Sequence, residues 1–339
     1  MTKLRFAAIG INHAHIYGQV DCLLRAGAEL VGFHAPEDDL AKEFGDKYPQ
    51  APRIAEKTRL LEDKTIPLIL SSGIPADRAP LGIEVMRHGK DYMSDKPGIT
   101  SLEQLAEVRK VQAETKQIYS ICYSEHFETR STVKAGELIA QGAIGKVINT
   151  VGLGPHKLKN LPRPHWFYQR ERTGGVLTDI ASHQCEQFLF FADALDAEVV
   201  SATVANRANP DRPEFQDFGE MLLRAGDVTG YARVDWFTPD GLPNWGDGRL
   251  TVLGTEGYLE LRKYIDIAGR PGKDHLFLVD GKGTQYIDCS SVDLPYGRQL
   301  IADILNRTET AMPQARCYKA MELALTAQQM ADRGTVWQQ

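Results

Sequence analysis

The sequence of 339 residues is poor in cysteine, in positive charge and in long hydrophobic runs, and each shortage excludes a class of protein. Its five cysteines are scattered and lack CxxC spacing, which argues against a disulfide framework and a zinc knuckle and predicts a cytoplasmic location. Lys and Arg total 39 against 45 Asp and Glu, and the net charge of −6 disfavours binding to nucleic acid or to an anionic membrane. The longest run without a charged side chain, Phe6–Val20, has about 15 residues, too few for a spanning helix of ~20 apolar residues. No cleavage-site pattern precedes the first apolar run at Leu4, so we expect no secretory signal.

The length and the pattern of the chain predict two domains. In residues 1–122, short apolar runs alternate with segments of helical period, which is typical of βαβ units and a doubly wound parallel sheet. The predicted strands of this first domain are Leu4–Ile9, Leu30–Phe33, Ile66–Leu70, Asp91–Ser94 and Ile118–Cys122.

The pattern changes in the predicted second domain, residues 123–339. From Glu198 to Asp288, strand-like segments follow one another without helical segments between them, which predicts a large, mostly antiparallel sheet. Helices are predicted over Thr132–Gln141 before this sheet and over Tyr296–Asn306 and Ala315–Ala331 after it. The last helix is able to pack back on the first domain. The fold class is therefore α/β, with a parallel sheet first and an α+β domain second.

The first predicted strand runs into the turn Gly10-Ile11-Asn12-His13-Ala14-His15, and a helix follows. A strand, a glycine and a helix N-terminus form the usual cradle for a dinucleotide pyrophosphate. Of the GxGxxG pattern only Gly10 is kept, and Asn12 tolerates the left-handed backbone that the second glycine allows. A capped helix start explains the same residues equally well. The pair His13 and His15 has the spacing of zinc ligands, but no third ligand lies nearby in the sequence.

The end of the second strand lacks the acid that normally accepts a ribose hydroxyl of NAD. Ala35 stands at that position, and Glu37 or Asp38 could substitute from a shifted turn. No arginine lies next to Ala35 in the sequence to receive the 2′-phosphate of NADP, so the choice between NAD and NADP stays open.

Two further motifs carry side chains suited to proton and charge transfer. Lys96 lies in Asp95-Lys96-Pro97, directly after a predicted parallel strand, where open α/β sheets bind ligands. Asp179 and His183 follow Gly174-Gly175 and are four residues apart, which predicts one shared helix face. A surface turn and a satisfied helix histidine are the alternative interpretations.

Together these motifs resemble those of the Gfo/Idh/MocA family of NAD(P)-dependent oxidoreductases, which includes glucose–fructose oxidoreductase and inositol 2-dehydrogenase. The family has a glycine-rich turn after strand one, an E-K-P motif near residue 95 and a G-G-x-x-x-D-x-x-x-H motif about 80 residues later. Gly142-Ala143-Ile144-Gly145-Lys146 also matches the opening of its second domain. Order and spacing agree over essentially the whole chain, while Asn12, His15, Ala35 and Asp95 depart from the pattern.

The resemblance implies a Rossmann domain that binds NAD or NADP, a second domain with an open sheet, and a homodimer or homotetramer formed through that sheet. It implies a sugar, a polyol or a related hydroxy compound as substrate, and Lys96, Asp179 and His183 as catalytic residues at the nicotinamide. His183 would take the hydroxyl proton and Lys96 would stabilise the substrate oxygen. The cofactor-binding residues expected are Gly10, Ile11, Asn12, His13, His34, Ala35, Ser72, Gly73, Asp95 and Lys96.

A loop before the Asp179 motif is a candidate substrate site. It carries His156, Lys157, His165 and Trp166, and His126 follows the last strand of the first domain. These cationic and aromatic groups would suit a carboxylated or phosphorylated sugar, although a solvated basic loop explains them as well.

Three alternative functions remain open on the sequence. A chain of this fold could bind the dinucleotide as a sensor or regulator without turnover. It could be a lyase or isomerase with a metal at Asp179 and His183, although no metal site is predicted. It could also use NAD transiently in an epimerisation or hydrolysis, in which case NADH would not accumulate.

Overall fold

The computed structural model describes residues 3–158 and 163–334, and the chain divides into two units. The first unit contains the chain up to Cys122 together with Pro295–Tyr318. The second contains Tyr123–Leu294 and the chain from Lys319 onward. The chain therefore leaves the first unit after the last strand of its sheet and returns to it near the C-terminus.

The first unit is built on a five-stranded parallel sheet of order β2-β1-β3-β4-β5, as the strand and helix alternation predicts. Its strands are β1 Arg5–Ile9, β2 Glu29–His34, β3 Leu68–Ser71, β4 Asp91–Asp95 and β5 Tyr119–Cys122. The apolar runs form strands because helices cover the sheet, and every residue of β3, β4 and β5 is buried. The helices between the strands are α1 His15–Arg25, α2 Asp38–Lys47, α3 Lys57–Glu62, α4 Pro75–Arg87 and α5 Leu102–Thr115.

The returning segment forms hydrogen bonds with the edge of this sheet. It consists of α11 Tyr296–Asn306 and the first part of α12 Gln314–Gly334. The Gln314 side chain accepts a hydrogen bond from the Tyr119 N–H at 2.9 Å and donates one to the Tyr119 carbonyl at 3.2 Å, so it pairs with edge strand β5 as a neighbouring strand would. The Arg307 guanidinium binds both oxygens of buried Asp91 at 2.8 and 2.9 Å.

The second unit is built on an eight-stranded sheet of order β13-β12-β11-β10-β6-β9-β8-β7, in which only β6 and β9 run parallel to each other. The mostly antiparallel sheet is thus confirmed. Its strands are β6 Val147–Pro155, β7 Glu198–Ala205, β8 Phe218–Ala225, β9 Val228–Asp235, β10 Arg249–Gly254, β11 Gly257–Arg262, β12 His275–Asp280 and β13 Gly283–Asp288. Its helices are α6 Ser124–Phe127, α7 Arg130–Ala140, α8 Arg170–Thr173, α9 Val176–Asp179, α10 Ser182–Ala192 and a 3-10 turn at His165–Tyr168.

One face of this sheet is covered and the opposite face is open. Helix α10 packs closely on the covered face, where a Cβ at Gly152 would lie 2.8 Å from the Gln184 side chain and one at Gly230 would lie 2.6 Å from Phe188. On the opposite face, large apolar side chains stay more than a third exposed. They are Leu222, Leu253, Tyr258 and Tyr286.

No helix of the described residues is long and apolar enough to cross a membrane. All five cysteines lie in the described part of the chain, where they are buried and form no disulfide bond.

Candidate functional site

The carboxyl ends of β1, β2 and β3 meet at the turn that begins with Gly10. The Gly10 N–H donates to the His34 carbonyl at 3.2 Å, and the Gly10 carbonyl accepts from the Ser72 N–H at 3.0 Å. Gly10 has a φ of +74°, and a Cβ there would lie 3.2 Å from the Gly73 Cα, so both the backbone angle and the close approach require glycine. Strand pairing therefore brings together Gly10, His34, Ser72 and Gly73, four of the residues that the sequence assigns to the cofactor.

This turn has the features of an anion cradle at the start of α1. The helix begins at His15 without a side-chain cap on Ala14, and a helix N-terminus attracts phosphate oxygens. Ser72 is fully buried, and its hydroxyl has no hydrogen-bond partner among the described residues. Ile11 is buried as well. These residues fit a dinucleotide pyrophosphate.

A buried cluster lies beside the turn, at the end of β4. The Asp95 carboxylate lies 3.0 Å from His15 Nδ1, 3.5 Å from His13 Nδ1 and 3.1 Å from the Arg78 guanidinium. Burial alone would raise the pKa of Asp95, but His15 and Arg78 hold it well below its usual range. Burial, together with the charges of His15, Arg78 and Lys96, lowers the pKa of His13 well below 6.5, so His13 is neutral at pH 7. The site thus combines an ionised carboxylate, a neutral imidazole and two cations.

The cluster also supplies the third potential metal ligand that the sequence did not show. Ligand atoms of His13, His15 and Asp95 lie within 4.8 Å of one another, and two imidazoles with one carboxylate are a common donor set for transition metals. The buried Arg78 guanidinium on Asp95 and the nearby Lys96 oppose a divalent cation there.

Lys96 is held at this edge through its backbone. Its side chain is 4% exposed. The Arg78 guanidinium donates to the Lys96 carbonyl at 2.5 Å, to the Pro97 carbonyl at 3.1 Å and to the Gly73 carbonyl at 2.7 Å. Arg78 therefore connects the turn after β3 to the turn after β4. No sequence signal identifies Arg78, because an arginine on an amphipathic helix normally indicates a solvated face.

The turn after β2 differs from the sequence-based expectation. Arg53, distant from Ala35 in the sequence, donates to the Ala35 carbonyl at 2.9 and 3.1 Å and to the Pro36 carbonyl at 3.1 Å, and it pairs with Asp38 at 2.6 Å. The expectation that no arginine lies beside Ala35 is thus wrong in the folded protein, where Arg53 contacts the Ala35 carbonyl. The Ala35 side chain itself is buried and offers no polar group.

The second unit holds the other catalytic candidates, and here one prediction was wrong. Asp179 and His183 do not share a helix face, because Asp179 ends the four-residue α9 and His183 lies in the first turn of α10. Gly175 precedes α9 with a φ of +88°, and a Cβ there would lie 2.4 Å from the Gln328 side chain. The break lies after Asp179, where the Ser182 hydroxyl donates to the Asp179 carbonyl at 3.3 Å, the group that a continuous α-helix would pair with the His183 N–H. Asp179 is half-buried, and His183 is 2% exposed.

A buried network of charged and amide side chains surrounds His183. Lys263 Nζ donates to Glu125 Oε2 at 2.6 Å and to Gln187 Oε1 at 2.7 Å, and Gln187 Nε2 donates to the His183 carbonyl at 3.1 Å. Burial alone would raise the pKa of Glu125, but the charges of Lys263 and His183 lower it to about 2. No sequence signal identifies Glu125 and Lys263, because they lie 138 residues apart and neither belongs to a motif.

The candidate substrate residues have different environments. His126 is buried, pairs with Glu186 at 2.9 Å and lies against Phe190, so it supports the structure. His156 packs between the rings of Trp236 and Trp245.

The remaining residues of the loop line its outer side. Lys157 Nζ donates to the Leu242 carbonyl at 2.7 Å, His165 is exposed, and Trp166 is partly exposed. Residues 159–162 of this loop lie outside the described part of the chain. A small cleft at Asp179 is lined by the buried rings of Phe167, Phe215 and Trp236. Phe167, the residue after Trp166, is thus the one from this loop that supplies a buried ring.

Comparison with known proteins gives consistent matches. Residues 132–260 match the family model "GFO/IDH/MocA C-terminal domain". A provisionally assigned oxidoreductase from Erwinia carotovora atroseptica SCRI1043 has a solved structure that is 45% identical, with a TM-score of 0.94 over 97% of this chain and 99% of that one. A D-xylose dehydrogenase from Paenarthrobacter nicotinovorans is 20% identical over 59% of this chain, and the match spans 51% of that relative. A levoglucosan dehydrogenase solved with NADH and levoglucosan has a TM-score of 0.78 at 14% identity, covering 100% of this chain and 98% of that one, which is a likeness of fold.

Proposed function

The chain belongs to the Gfo/Idh/MocA family of oxidoreductases, and from this premise we propose that it transfers hydride between a nicotinamide cofactor and a sugar, a polyol or a related hydroxy compound. The observation that carries the proposal is the edge of the parallel sheet. There the glycine turn of Gly10, the buried Ser72 hydroxyl and the Asp95-Lys96 segment lie together.

The cofactor residues of this chain act as a cradle. Gly10 and Gly73 allow close backbone approach, and the start of α1 offers its dipole to the pyrophosphate. The nicotinamide, when bound, supplies the hydride chemistry. Asp95 and Arg78 hold the Lys96 backbone at the same edge.

Each catalytic candidate has a role that fits its chemistry. His183 accepts the proton of the substrate hydroxyl during oxidation, since imidazole exchanges protons near neutral pH. Lys96 donates a hydrogen bond to the substrate oxygen and stabilises its developing negative charge. Asp179, half-buried beside the aromatic rings of the cleft, orients a substrate hydroxyl.

The test of this function is a thermal-shift titration with NAD, NADH, NADP and NADPH. We expect at least one of the four to raise the unfolding midpoint by several degrees, because a ligand present at about 100 times its Kd stabilises the native state by about 2.7 kcal/mol. The shift should be lost in Gly10→Val, whose Cβ meets Gly73, and kept in Gly18→Ala, where nothing lies within 4 Å. If protein free of carried-over cofactor shows no shift with any of the four, a nicotinamide function is excluded.

A metal-dependent lyase or isomerase is the second candidate function, because His13, His15 and Asp95 form a possible donor set, although the charges of Arg78 and Lys96 beside them weigh against it. In that case Mn²⁺ or Zn²⁺ would raise the unfolding midpoint and EDTA would abolish turnover. Dinucleotides alone would then have no effect.

We also propose that the open face of the eight-stranded sheet joins copies of the chain into a homodimer or homotetramer. Its exposed Leu222, Leu253 and Tyr258 form an apolar surface, and apolar surfaces of this kind mark interfaces. Light scattering should show that Leu222→Asp shifts the protein toward the monomer. Leu305→Asp on α11, where the leucine is 65% exposed, serves as the control and should leave the mass unchanged. A monomeric wild type would refute this interface.

A further inference from the structure

Two departures from the family pattern meet in the first unit. Asn12 replaces the second glycine of the turn after β1, and Ala35 replaces the acid at the end of β2. In the structure, Asn12 Nδ2 donates to Glu37 Oε1 at 2.8 Å. The Asn12 side chain therefore holds the Glu37 carboxylate beside the glycine turn, two residues beyond the position where an acid is expected.

The two oxygens of the Glu37 carboxylate differ in their hydrogen bonding. Oε1 accepts the Asn12 hydrogen bond. Oε2 is buried and has no hydrogen-bond partner in the described part of the chain. A buried carboxylate oxygen without a donor is costly, so the arrangement suits a ligand that brings hydroxyl donors to it.

We propose that Glu37, positioned by Asn12, accepts the adenosine-ribose hydroxyls of the dinucleotide and makes the chain select NAD(H) over NADP(H). This inference rests on the proposed nicotinamide function and adds the cofactor preference. A 2′-phosphate would bring negative charge against the Glu37 carboxylate in a partly buried site, and like charges brought together weaken binding strongly.

The arginine at this turn does not offset that repulsion. The Arg53 guanidinium donates hydrogen bonds to the Ala35 and Pro36 carbonyls and to the Asp38 carboxylate. Its charge is thus already paired, and its guanidinium acts as a brace for the turn after β2.

The test measures the Kd of the full-length protein for NADH and NADPH by calorimetry. In the wild type we expect NADH to bind about 100-fold tighter than NADPH. Glu37→Gln should weaken NADH about 10-fold or more, since hydrogen bonds to a charged group contribute about 1.5–3 kcal/mol, and should bring the two affinities within about fivefold. Asp39→Asn is the matched control, because Asp39 is an exposed acid in the first turn of α2, and it should keep the preference.

A second variant tests the positioning role of Asn12. Asn12→Ala should reduce the NADH preference, and combining it with Glu37→Gln should cause no further loss, because both act on one carboxylate. Equal binding of both cofactors by the wild type, or an unchanged preference in Glu37→Gln, would overturn the inference while leaving the nicotinamide function standing. Tighter binding of NADPH that disappears in Arg53→Met would assign the turn to a 2′-phosphate instead. If neither cofactor binds, the proposed function fails together with this inference.

Discussion

Replacing Lys96 or His183 by alanine is expected to lower kcat by about a hundredfold or more. Lys96 stabilises the charge that develops on the substrate oxygen and His183 accepts the hydroxyl proton, so both groups act in the transition state. The assay follows nicotinamide absorbance with the sugar or polyol that reacts fastest in a screen. Both residues are buried, so thermal unfolding must show that each variant still folds. Lys96→Arg keeps the positive charge but changes its geometry, and it should recover only part of the rate.

Two exposed residues provide controls for this experiment. His88 is an exposed histidine at the end of α4, and Lys110 is an exposed lysine on α5. Alanine at either position should leave kcat within about twofold of the wild type, as expected for surface substitutions. Near wild-type turnover in both Lys96→Ala and His183→Ala would remove these residues from the mechanism and favour a binding or sensing role.

Lys263→Met is expected to lower the free energy of unfolding by about 3–5 kcal/mol. The substitution leaves the Glu125 carboxylate buried at 2% exposure without its ammonium partner, and an uncompensated buried charge is costly. Urea unfolding at pH 7 measures the loss. The double variant Glu125→Gln/Lys263→Met should recover a large part of it, because the stranded charge is gone. Equal losses in the single and double variants would show that packing, and not charge, explains the effect.

The same pair predicts how stability depends on pH. The pKa of Glu125 is depressed in the folded protein to about 2, from 4.5 in the unfolded chain. A depressed acid pKa contributes stability above pH 4.5, and the contribution is lost as the pH falls toward 2. Lys263→Met removes the largest charge that depresses this pKa, so its destabilisation should be smaller at pH 4, where protonating Glu125 costs less free energy, than at pH 7.

The sequence predicted the elements whose apolar pattern is strong and missed those whose pattern is weak. All five strands of the first sheet and helix α11 were predicted close to their observed bounds. Helices α2 and α3 were not predicted, because each buries only two side chains and the polar residues around them give no helical period. The single helix predicted through Asp179 and His183 is broken, since the Ser182 hydroxyl, and not the His183 N–H, binds the Asp179 carbonyl.

By itself, the sequence determined which segments of this protein are buried and which side chains end the parallel strands, because the period of apolar residues reports burial locally. It therefore placed Gly10, Asp95 and Lys96 at the carboxyl ends of parallel strands. Tertiary structure alone decided which distant groups meet, since His15 reaches Asp95 across 80 residues, and Asn12 reaches Glu37 across 25. Such contacts depend on how the strands pair and the helices pack, which no local pattern encodes. The charge state of Asp95 and the candidate reader of the ribose both follow from those contacts.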